Sequence, residues 1–68
     1  MMGIYAGRAR DKATCAGQAG NDPRTAMIYL HEAATALRRA CREGENIRDI
    51  EDASAALESS TLHVARGL

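Results

Sequence analysis

The chain has no phenylalanine and no tryptophan, and Tyr5 and Tyr29 are its only aromatic residues. It contains a single valine, a single lysine and a single proline. Without the largest side chains, an interior built from one copy of the chain is thin. Of the 31 apolar residues, 14 are alanine and two are cysteine, which leaves 15 large ones among 68 residues. Each large side chain contributes roughly 1.5–3 kcal/mol when fully buried, against an ordering cost of about 1.5 kcal/mol per residue. A chain this short allows one domain and needs help from a disulfide, a metal or self-association.

No long apolar run is present. The longest, Ala26–Leu30, has five residues, where a membrane span needs ~20. Nothing after Met1 resembles the apolar core of a secretory signal, and Met1-Met2-Gly3 departs from the myristoylation pattern, which needs glycine in second place. These features set the expectation of a cytoplasmic protein, away from membranes, with reduced cysteines.

Paired metal-ligand spacings are also missing. Cys15, His31, Cys41 and His63 are scattered, whereas structural zinc sites draw ligands in close pairs. A Cys15–Cys41 disulfide is disfavoured in a reducing compartment; Cys41 reads as a small apolar side chain beside Leu37, and Cys15 as lying on or near an interface. Glu58 has Thr61, not histidine, three residues on, so the di-iron bundle motif fails. Ser59, Ser60 and His63 share a helix with no acid placed to orient the histidine. The glycines are not followed by the Lys-Ser/Thr of a phosphate loop. The expectation is therefore a protein that is not an enzyme and carries no metal or cofactor.

What the sequence does contain is helical punctuation. Asp22-Pro23 combines a preferred N-cap with the residue favoured at the first helical position. From there an apolar stripe steps through Ala26, Leu30, Ala33, Leu37 and Ala40, and Gly44 supplies a stop. Asn46 is a second N-cap, with Asp49 three residues on in the manner of a capping box. The next stripe runs Ile50, Ala53, Leu57, Ser60, Val64 and ends at Gly67. Ser60 and Thr61 make its middle semi-polar, which predicts weaker packing there. Residues 1–21 are read as a weakly ordered segment or a short helix over 4–16, because Gly3, Gly7, Gly17 and Gly20 each oppose helix by about 1 kcal/mol in an interior position.

The predicted fold is all-α: an antiparallel helical hairpin, about 23–43 and 47–66 within a unit spanning 22–68, preceded by a weak N-terminal helix. A hairpin exposes one edge of its stripe, so assembly into a homo-oligomeric helical bundle is expected, with Leu30, Ala33, Leu37, Ala53, Leu57 and Val64 as the self-association candidates.

Net charge is zero but unevenly spread. Residues 1–42 carry seven basic and three acidic groups, and residues 43–68 carry two basic and six acidic ones. Arg38, Arg39 and Arg42 sit where cations stabilise a helix C-terminus, and Glu43, Glu45, Asp49, Glu51 and Asp52 sit around the loop and next helix start. The expectation is that these two clusters neutralise each other. Tyr5, Arg8, Arg10 and Lys12 form a second basic group, suited to phosphate contact and stacking. Three functions follow in order of preference. The first is an oligomeric interaction module that regulates, inhibits or escorts another protein. The second is a site for a small anion such as a nucleotide, held between subunits by the basic residues. The third is an RNA or DNA regulator, disfavoured by the acidic neighbours and by the absence of interleaved aromatics.

Overall fold

The computed structural model describes residues 3–20 and 22–67. Met1, Met2, Asn21 and Leu68, the outer residues of the expected 1–21 and 22–68 segments, lie outside the described residues. Three helices pack together: α1 (Ile4–Gly17), α2 (Pro23–Arg42) and α3 (Ile47–Gly67). No strand occurs among the described residues. The bundle measures 34 × 16 × 16 Å. α1 lies against both other helices, whereas α2 and α3 touch each other least.

The segment expected to be weak is thus the element around which the others gather. Glycine opposes α1 less than the sequence suggests. Gly3 is the N-cap rather than an interior residue, and Gly17 is the last residue of the helix. Gly7 alone sits well inside. Both connections turn through a left-handed glycine, Gly20 at φ 67° and Gly44 at φ 68°, a conformation that a side chain would strain.

α2 begins as its sequence indicates. Asp22 Oδ1 accepts the Arg24 and Thr25 N–H groups at 3.1 and 3.4 Å, and Oδ2 accepts the Thr25 hydroxyl at 2.7 Å. The Thr25 hydroxyl, followed by the backbone bonds, holds the Asp22 carboxyl below its ordinary value. A group depressed on folding stabilises the fold above its unfolded pKa, and that contribution fades as pH falls through the folded value. Asp22→Asn is therefore expected to keep the cap but flatten the acid limb of stability against pH below the ordinary aspartate range. Urea titrations across the acid range check this; an unchanged limb would assign the dependence to other carboxylates. At α3, Asn46 Oδ1 accepts the Arg48 N–H at 2.8 Å. Asp49 reaches outward instead of closing a capping box, as described below.

The interior is made of alanine. Ala6, Ala9, Ala13 and Ala16 from α1, Ala26, Ala33, Ala36 and Ala40 from α2, and Ala53 from α3 are all 6% exposed or less. No large apolar side chain is fully buried among the described residues. Ala33 and Ala53, expected on the self-association face, are buried within the chain. The reason is that α1 takes the small residues of both stripes, since alanine permits close approach of helix backbones.

Candidate functional site

The loop between α2 and α3 organises one end of the bundle. Glu45 places its two carboxylate oxygens on the first turn of α1: Oε2 accepts the Tyr5 N–H at 3.0 Å and Oε1 accepts the Ala6 N–H at 2.9 Å. Asp49 Oδ2 accepts the Gly3 N–H at 3.0 Å. These N–H groups have no partners inside the helix, and the positive end of its dipole favours a carboxylate. Gly3 offers no capping side chain of its own. A Cβ there would overlap the Glu45 carboxylate, so Gly3 and Glu45 form one fitted cap. Farther along, Arg10 Nη1 meets Asp52 Oδ2 at 2.8 Å, and Ser60 Oγ donates to the Ala13 carbonyl at 2.6 Å. Ser60, expected to weaken its stripe, joins α3 to α1.

The expected neutralisation of Arg38, Arg39 and Arg42 by the acidic loop is therefore corrected. Glu45, Asp49 and Asp52 all turn toward α1. Among the described residues, no carboxylate pairs with Arg8, Arg38, Arg39 or Arg42; the ion pairs are Arg10–Asp52 and Lys12–Glu32.

Two basic groups, about thirty residues apart in the sequence, instead meet in a groove between α1 and α2. It encloses about 410 Å³ and is lined by Tyr5, Arg8, Lys12, His31, Glu32, Thr35, Ala36, Arg39 and Arg42. The Arg8 and Arg39 guanidinium carbons lie 5.4 and 5.0 Å from the centroid of the Tyr5 ring, within cation–π range. Lys12 Nζ lies 5.5 Å from the Tyr29 ring centroid and 3.3 Å from Glu32 Oε2. Of the ligand- or partner-binding candidates singled out from sequence, Tyr5, Arg8, Lys12, Arg39 and Arg42 thus come together. Arg10 turns to Asp52, and Arg38 is exposed without lining the groove.

The other flank of α2 is apolar. Leu30 and Leu37 sit roughly 60° around the helix from the alanines that are buried, on the side away from Glu32 and Arg39. On α3, Ile50, Leu57 and Val64 hold the matching place beside Ala53. All five are half-buried. Leu37 and Ile50 pack on the same alanine cluster, so the two rows run side by side along the α2–α3 seam. Nearby Met27 and Ile47 are 57% and 65% exposed.

His31 lines the basic groove, while His63 lines a separate cleft with Ala16, Pro23 and Val64. Cys15 is a half-buried free thiol and Cys41 an exposed one. No three histidine, cysteine or acidic side chains gather in a metal-holding group among the described residues, and no helix among them is long and apolar enough to cross a membrane. Glu45 and Gly3 were missed as structural partners by sequence reasoning, because their contact spans about forty residues and follows no local motif. Neither a protein-family model, nor a curated protein, nor a solved structure matches the chain.

Proposed function

We propose that the protein is a small homo-oligomeric helical interaction module, in which a second copy covers the Leu30–Leu37 and Ile50–Leu57–Val64 rows and the assembled bundle regulates or escorts another protein. The observation that carries this reading is that no large apolar side chain among the described residues is fully buried. The Leu30–Leu37 and Ile50–Leu57–Val64 rows lie outside the alanine layer and are only half-buried in a lone chain, so part of their roughly 1.5–3 kcal/mol each stays unrealised until a second copy covers them.

Surface area supports the same reading. A folded monomer of this mass exposes about 4,200 Å² on average, and this chain exposes 4751 Å². A stable interface removes about 800 Å² from each partner. The α2–α3 seam also suits a twofold arrangement, in which the same patch faces itself. Its two rows come from helices of opposite direction, so two copies can lay their rows together and complete a helical bundle. The absence of catalytic groupings in the sequence fits a role exercised through contact with another protein.

Leu30→Gln combined with Leu57→Gln tests the reading. Both side chains are half-buried in the single chain, so the exchange is expected to reduce the sedimenting mass to that of one 7.3 kDa chain while the circular dichroism stays helical in the cold. A mass unchanged by the exchange, whether oligomeric or monomeric, would overturn the proposed surface.

A further inference from the structure

Charge on this chain balances as a whole but not locally. Glu45 and Asp49 are committed to the start of α1, and Asp52 to Arg10. Arg8, Arg39 and Arg42 are left facing one groove with no carboxylate paired to them among the described residues. Two of these guanidiniums, from different helices, are drawn to the same Tyr5 ring. Like charges converging on one ring repel each other, and a bound anion would relieve that repulsion. Guanidiniums are also the side chains that grip phosphate through two parallel hydrogen bonds.

We propose that the α1–α2 groove binds a phosphate-bearing small molecule of nucleotide size. Its phosphates lie at the Arg8–Arg39–Arg42 end, and its uncharged ring lies toward His31 and Glu32, which line the other end. The direction follows from charge. Glu32, paired with Lys12 at 3.3 Å, repels phosphate from its own end, yet its carboxylate suits an N–H or hydroxyl donor on a base or sugar. The imidazole of His31 is the flat group at that end of the lining, and a base can stack on it. The groove's 410 Å³ gives room for a small molecule, as other clefts on the bundle do; its unpaired guanidiniums are what single it out. A nucleic-acid backbone is the poorer fit. The basic strip is short, Asp11 flanks it on the exposed side of α1 and Glu43 follows Arg42, so a longer polyanion would run onto carboxylates. The groove and the apolar rows occupy opposite flanks of α2, so a second copy on the seam leaves the groove open.

The test is a nuclear magnetic resonance titration of the full chain at low ionic strength, with adenosine diphosphate as the probe. Inorganic pyrophosphate, adenosine and a single-stranded oligonucleotide serve as comparisons. Adenosine diphosphate is expected to give saturable shifts confined to Tyr5, Arg8, Lys12 and residues 31–42. Pyrophosphate is expected to bind the same end more weakly, and adenosine not to saturate. Arg8→Gln and Arg39→Gln should each weaken binding about tenfold or more, as loss of a charge-assisted pair implies, while Arg38→Gln and Arg48→Gln leave it unchanged. The dispersion of the same spectra shows whether each variant keeps its fold. Absence of saturation, equal weakening by Arg38→Gln, or pyrophosphate matching adenosine diphosphate would overturn the proposal. Oligonucleotide affinity that exceeds the nucleotide's and grows with length would overturn it in favour of a nucleic-acid surface.

Discussion

Ala9→Leu is expected to remove the tertiary packing of the bundle while leaving much of its helix content. Ala9 has no exposed surface and belongs to the cluster that joins α1 to α2 and α3 through Ala6, Ala36, Ala40 and Ala53. The fully enclosed members of that cluster are all alanines, with Tyr5, Leu37 and Ile50 packed against it, so the helices approach closely and leave little space for a longer side chain at Ala9. Extra methylenes in a packed interior cost about 1–3 kcal/mol, and occasionally more, by forcing strained rotamers and backbone shifts. Leucine adds three carbons at a point enclosed by both neighbouring helices, so a loss at or above the top of that range is expected. A domain of this size commonly has only ~3–5 kcal/mol in hand, so the variant should lose cooperative unfolding. Ala55→Leu, on an exposed position of α3, should be nearly neutral. Urea denaturation followed by circular dichroism separates the two. Equal stability of Ala9→Leu and the parent chain would mean that the alanine rows do not form the interior.

Glu45→Gln is expected to detach the start of α1. The native carboxylate accepts two N–H groups at 3.0 and 2.9 Å. Glutamine offers one acceptor and turns its amide N–H₂ toward the second donor. Hydrogen bonds to a charged group contribute about 1.5–3 kcal/mol each. Because Glu45 is half-buried, the low end is appropriate, and a total loss of about 2 kcal/mol is expected once the missing helix-terminus charge is included. Gly3→Ala should act in the same direction, because its methyl enters the space of the same carboxylate. The two changes share one cap, so the double variant should be less destabilised than the sum of the singles. Amide hydrogen exchange at Tyr5 and Ala6 reports the effect directly, since these are the donors released. Unchanged exchange in Glu45→Gln would remove the cap from the account.

Much of the local structure was legible. Asp22-Pro23, Gly44 and Asn46 mark helix ends through contacts within three residues, which a sequence displays openly. The packing was less so. A periodic stripe scores alanine and leucine alike, and Ala26, Leu30, Ala33, Leu37 and Ala40 read as one face. In the structure that face divides: α1 covers the alanines, and the leucines fall to the side. Helix α1 looked weak because its glycines were weighed as interior residues, although two of its four lie at the helix boundaries and a third in the following turn. The basic groove was visible as two separate charge clusters, and its assembly depends on α1 lying antiparallel to α2. The direction taken by Glu45, Asp49 and Asp52 could not be read locally, because carboxylates at a helix start satisfy either their own helix or a neighbour's.

The central claim is that an alanine interior leaves the large apolar rows of α2 and α3 to a second copy. The thermal unfolding midpoint of the unaltered chain, measured across a hundredfold range of concentration, tests it most directly. When association stabilises the folded state, mass action raises the midpoint with concentration. A midpoint that climbs steadily, and stops climbing in the Leu30→Gln/Leu57→Gln variant, is the predicted result. A midpoint independent of concentration in the unaltered chain would mean that the alanine bundle is sufficient by itself, and would contradict the account.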